Sequence, residues 1–113
     1  MHELGITEEI LNIAITKARE ADSKKVLQIN LVIGDASSIV GDCVQFCFDF
    51  VSRDTIAEGA RLNFQRIPLQ MKCRNCGNQF HPEKEPWVCP QCQRWEVDII
   101  KGTEFYMESI EVD

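Results

Sequence analysis

Four cysteines fall in two pairs of identical spacing, Cys73-Arg-Asn-Cys76 and Cys89-Pro-Gln-Cys92, and a histidine stands second in the chain, in Met1-His2-Glu3. Two residues between cysteines let a tight turn aim both sulfurs at one ion, and two such knuckles complete the tetrahedral shell that zinc prefers. Gly77 after Cys76 and Pro90 after Cys89 supply turn chemistry. With every position filled by protein no place is left for water, so Cys73, Cys76, Cys89 and Cys92 read as a structural zinc clamp and not a catalytic centre. The segment around them has few large apolar residues besides Phe80, Trp87 and Trp95. Metal binding, worth about 10–16 kcal/mol in zinc-finger peptides, would therefore supply most of its folding free energy. Because the cysteine set is complete, His81 reads as a surface residue beside Pro82.

The N-terminus offers different donors. The Met1 amine, backbone amide nitrogens and the His2 imidazole lie within three residues, and planar nitrogen coordination suits Ni(II) or Cu(II) better than zinc. Taken alone, the same residues also describe a solvated, frayed end.

A chain of 113 residues affords one cooperative body with an appendage, not two independent cores. Its 44% apolar and 27% charged content is that of a soluble globular protein, without the run of about 20 apolar residues that a membrane span requires. No basic and then apolar leader opens the sequence, so the expected location is cytoplasmic. In a reducing compartment paired Cys-x-x-Cys motifs favour metal over disulfides. A net charge of -6, without a long basic run, argues against nucleic acid as partner, although Lys72, Arg74, Lys84 and Arg94 surround the cysteines. Neither a nucleophile-base arrangement nor a glycine-rich phosphate loop is present, so no enzymatic activity is expected.

The elements that must position these sites follow from periodicity. Ile6, Ile10, Ile13, Ala14, Ala18 and Ala21 recur at helical spacing, with Glu8 and Glu9 in the expected first turn. Leu27, Ile29, Leu31 and Ile33 alternate with Gln28 and Asn30 in a strand over 26–33 that Gly34-Asp35 ends. A second helix over 42–52 aligns Cys43, Phe46, Cys47, Phe50 and Val51 in one apolar stripe, which predicts burial of both cysteines as small inert hydrophobes. Residues 60–67 form a second strand up to Pro68, and 103–112 a last one after Gly102. In that last strand Phe105 and Met107 share one parity while Tyr106, Ile110 and Val112 share the other, which calls for a bulge or for burial on both faces. The fold expected is α+β: a small sheet of about three strands packed against two helices, with an inserted four-cysteine zinc-ribbon lobe. The division expected is 1–67 plus 103–113 as the nickel-binding domain and 68–102 as the inserted lobe, bracketed by Pro68 and Gly102.

Met1-His2-Glu3, Ile33-Gly34-Asp35, Phe46-Cys47-Phe48-Asp49, the run Thr55 to Ala60 and the two knuckles together resemble the HypA/HybF family of hydrogenase nickel-incorporation proteins over essentially the full length. The resemblance implies a nickel metallochaperone that helps deliver Ni(II) to the large subunit of [NiFe]-hydrogenase with a GTPase partner, HypB, relatives in some organisms also serving urease maturation. It assigns nickel to His2, through imidazole and backbone nitrogen, with Glu3 and the Met1 amine as neighbours, and zinc to the four cysteines. Some relatives carry an aspartate near position 40, where this chain has Val40 and, two residues on, Asp42; the Glu3 backbone amide is then the preferred fourth donor. Nickel is exchangeable cargo and zinc structural. The chain would be a monomer or homodimer, with no membrane or nucleic-acid partner. The alternative is a zinc-ribbon module for protein interaction or nucleic-acid binding that handles no exchangeable metal and tolerates an N-terminal tag.

Overall fold

The first amphipathic segment forms helix α1, His2–Glu20, in the computed structural model, which describes residues 2–83 and 87–113. It begins one turn earlier than the periodicity predicts, so Glu3 occupies the first turn and Glu8 and Glu9 sit farther along on the exposed side. The helix stops where Asp22 takes a left-handed conformation (φ 55°) and the Ser23 N–H closes back on the Ala18 carbonyl at 2.9 Å. Its buried face is Thr7, Ile10, Leu11, Ala14 and Ala18, whereas Ile13 and Ala21, expected inside, are exposed. Thr7 is tolerated there because its hydroxyl donates back to the Glu3 carbonyl one turn earlier.

Strand β1 (Val26–Gly34) is central: β2 (Arg61–Ile67) pairs with it in parallel and β6 (Phe105–Val112) antiparallel, in the order β2-β1-β6. A parallel neighbour demands a crossover, and helix α2 (Gly41–Val51) provides it. Both helices contribute to one core with the sheet, in which Phe48, Ile29 and Leu31 are the largest buried side chains. The opposite sheet face is polar. Asn30 sits at its centre, donating to Ser109 Oγ at 2.9 Å and accepting from Gln28 and Asn63 at 2.7 and 3.2 Å.

Two register shifts explain the mixed parity. Glu108 is the extra residue where Ser109 pairs with Asn30 but Met107 with Leu31, and Leu27 is the extra residue on β1. Glu108 returns Phe105, Met107, Ile110 and Val112 to a single inner face, all packed on the core. Leu27 is correspondingly thrown out to 46% exposure, against the simple alternation, and Val26 is buried in its stead.

A second three-stranded sheet, in the order β4-β3-β5, comprises β3 (Gln70–Cys73), β4 (Gln79–Phe80) and β5 (Val97–Lys101). The molecule is long and thin, 56 × 27 × 16 Å. Between the sheets main chain crosses main chain closely. The Ala36 N–H donates to Gly102 O and the Gly34 N–H to Glu104 O, both at 2.7 Å. A β-carbon on Gly34 would lie 2.1 Å from the Gly102 oxygen, and one on Gly102 (φ 115°) would lie 2.7 Å from Leu69 Cα. Only hydrogen fits at either position.

Candidate metal centres

The sulfurs of Cys73, Cys76, Cys89 and Cys92 all lie within 4.8 Å of one another, the one such cluster of potential metal ligands among the described residues. Cys73 and Cys92 are 3.5 Å apart, and Cys76 and Cys89 3.6 Å. A tetrahedron with Zn–S bonds of about 2.3 Å has edges of roughly 3.8 Å, so the cluster fits the ion, whereas a disulfide requires sulfurs about 2.05 Å apart. All six cysteines are free thiols.

The two knuckles share a backbone plan. The Cys73 carbonyl accepts from the Gly77 N–H at 3.0 Å and the Cys89 carbonyl from the Gln93 N–H at 2.8 Å. Gly77 and Gln93, each just after the second cysteine of its pair, are both left-handed, with φ of 76° and 62°. Gly77 and Gln93 are thus the equivalent positions of the two turns. Pro90 lies within the second turn. Asn78 ties the knuckles together, its amide 3.7 Å from the Cys89 sulfur.

Electrostatics divide the thiols. The Cys76 N–H holds the Cys73 thiol below its ordinary range. Burial opposes ionisation of Cys89, but the N–H groups of Cys92 and Gln91 and the Cys76 and Asn78 side chains outweigh it and bring the thiol down to about 6. For Cys76 the Asn78 N–H favours the thiolate, yet desolvation and the three neighbouring sulfurs win and push it up to about 12. Proton sharing of this kind is what a dication relieves by accepting all four sulfurs as thiolates.

The lobe's large apolar residues contribute little to a core: Trp95 is 77% exposed and Trp87 lies at the surface, while Met71, paired across the sheet with Phe80 and Ile99, is the buried side chain. His81 is exposed, as expected, with Nδ1 3.0 Å from the Leu69 carbonyl.

At the other end, Met1 and the His2 imidazole lie outside the described residues. The His2 backbone begins α1, and the first-turn N–H groups of a helix lack intrahelical acceptors. Beside this end, Glu3 shares a cavity of about 280 Å³ with Asp42, Cys43, Phe46 and Cys47. Asp42 therefore stands near the start of α1.

This cavity exposes a correction. The stripe of Cys43, Phe46, Cys47 and Phe50 does not pack on the sheet: Cys43 is exposed, Phe46 is 78% and Phe50 64% exposed, and Cys47 is half-buried. The buried face is Gly41, Val44 and Phe48. Both sides of α2 carry apolar residues at helical spacing, so periodicity could not choose. The observed rotation also lets the Gln45 side-chain oxygen accept the Leu62 N–H of edge strand β2 at 3.3 Å.

The family described as hydrogenase/urease nickel incorporation, metallochaperone, hypA matches residues 1–112. The chain belongs to this family. Among curated relatives, the hydrogenase maturation factor HypA of Dehalococcoides mccartyi is 51% identical over 113 residues, covering 100% of this chain and 95% of that protein. The factor of the same name from Caldanaerobacter subterraneus subsp. tengcongensis is 40% identical over 114 residues, covering 100% of both chains. A solution structure of HypA protein superposes with a TM-score of 0.73 at 21% identity, covering 99% of this chain and 96% of that one. That of the Ni metallochaperone HypA from Helicobacter pylori gives 0.63 at 19% identity, covering 97% and 96%. At such identities these two structures support the α+β fold with its cysteine-bearing lobe. Family membership favours metal incorporation over the alternative of a zinc-ribbon module without exchangeable metal. Nickel fits the family as cargo, and the four-cysteine cluster is suited to structural zinc.

Proposed function

We propose that this protein carries Ni(II) at its N-terminus, on the Met1 amine, the His2 imidazole and backbone nitrogen, and Glu3, and passes it toward the large subunit of [NiFe]-hydrogenase. HypB, the GTPase of the maturation system, is the proposed partner, with urease maturation proteins as further clients, and the cytoplasm is where this takes place. The protein performs no catalysis of its own. Cys73, Cys76, Cys89 and Cys92 hold the structural zinc, within a lobe (68–102) distinct from the nickel-binding body (1–67 plus 103–113).

The observation that carries this reading is a family match that extends to residue 1 and so includes Met1-His2-Glu3. Physical chemistry supports it. A helix that starts at His2 leaves its first amide nitrogens free of intrahelical bonds, and nitrogen donors in a plane favour Ni(II). No helix among the described residues is long and apolar enough to cross a membrane. Metal quantification after equilibrium dialysis tests the proposal. Untagged parent should retain one zinc and take up exchangeable Ni(II), and His2→Ala should retain the zinc alone. Parent protein with an unblocked terminus that takes up no Ni(II) would overturn it.

A further inference from the structure

The cavity beside the first turn of α1 is lined by the two cysteines that the zinc cluster does not use. Cys43 and Cys47 stand one helical turn apart on α2, and residues at that spacing project from the same helix face with Cβ atoms about 5–6 Å apart. This is the chelating geometry of helix-borne metal motifs that place two histidines at i and i+4, here with sulfur in place of nitrogen. The core makes no use of either thiol: Val44 and Phe48 do the packing, while Cys43 is exposed and Cys47 half-buried. Glu3 and Asp42 line the same cavity, so hard and soft donors share one space next to the proposed nickel residues. The five lining residues are not drawn together as the zinc sulfurs are. A cation would gather them by side-chain rotation, displacing the thiol protons to solvent.

We propose that Cys43 and Cys47 form a thiolate subsite for the cargo cation beside the N-terminal donors, so that Ni(II) can be held by nitrogen and sulfur ligands on two helices. The identity of the cation rests on the nickel reading above. The physical rationale is that thiolate donors strengthen the hold on a borderline cation, and a ligand set split between α1 and α2 can be exchanged in parts during transfer.

The test is anaerobic titration of Ni(II) into untagged, zinc-loaded, reduced protein, following thiolate-to-nickel charge-transfer absorption in the near ultraviolet together with zinc content. The expected result is a band in the parent with zinc retained. In the Cys43→Ser/Cys47→Ser variant the band should be lost while zinc content and circular dichroism stay unchanged. Nickel uptake by the parent without the band, matched by the double variant, overturns the subsite and leaves the N-terminal carrier intact. A band that appears only as zinc departs, or that survives in the double variant, belongs to the four-cysteine cluster and also overturns it. A band that persists in His2→Ala supports the subsite while removing His2 from the ligands, so the two proposals fail separately.

Discussion

Turn N–H groups favour the thiolate at Cys73, Cys76 and Cys89 alike, and the neighbouring sulfurs then divide them, lowering Cys73 and Cys89 and raising Cys76. Cys73 and Cys89 open their knuckles and are lowered by the turn amides that follow, whereas at Cys76 desolvation and three neighbouring sulfurs outweigh the Asn78 N–H and push the thiol up to about 12. Zinc uptake near neutrality must therefore displace at least the Cys76 proton, and protons compete with the metal. The sign follows: affinity rises with pH, by about tenfold per unit for each proton displaced. Competition titrations with a chromophoric chelator between mildly acidic and mildly alkaline pH should show at least one such decade per unit, and a flat profile would contradict it. The cluster was legible from spacing because two Cys-x-x-Cys pairs in one chain supply the four tetrahedral ligands that zinc takes. The left-handed Gln93 was not legible, since nothing in a glutamine announces positive φ.

Helix α2 shows why periodicity finds a helix more reliably than it finds its buried face. One face holds Val44 and Phe48 and another holds Cys43, Phe46, Cys47 and Phe50. The second has more hydrophobes, yet the first is inside, with Gln45 beside it bonded to the Leu62 N–H of the edge strand. Truncation separates the two. Phe48→Ala should cost about 3–5 kcal/mol as a buried aromatic is replaced by a cavity. Phe46→Ala, at an exposed position, should shift stability within about 0.5 kcal/mol. Denaturant unfolding of the two variants reads the difference, and equal losses would reverse the assignment of faces. The strands were legible for the same reason that their details were not. Alternation locates β1 and β6, but the extra residues Leu27 and Glu108 each reset the parity, and a bulge leaves no compositional trace beyond the conflict it resolves.

At the scale of the molecule, two sheets with unlike sources of stability meet at a narrow crossing. The β2-β1-β6 sheet buries Ile29 and Leu31 against two helices, one of which contributes Phe48, whereas the lobe built on the β4-β3-β5 sheet has Met71 and two buried cysteines, with Trp95 in solvent. A sheet so poor in apolar burial depends on its cation for most of its folding free energy. Its amide protons should therefore lose protection when a strong chelator removes zinc, while those of β1 and α2 remain protected, as hydrogen exchange with site resolution would show. The Trp87 and Trp95 fluorescence should change in the same step. The crossing determines whether the loss stays local. Gly34, Gly102 and Leu69 approach so closely that the end of β1 and the return of the chain share hydrogen bonds at 2.7 Å. Those bonds end on Gly102 and Glu104, between β5 and β6, so unfolding of the lobe should loosen Gly34 and Ala36 but stop short of Leu31, which is paired on either side with Phe64 and Met107. Loss of protection running through Leu31 into α2 would instead mean that the zinc braces the whole protein, including the helix end where nickel is proposed to sit.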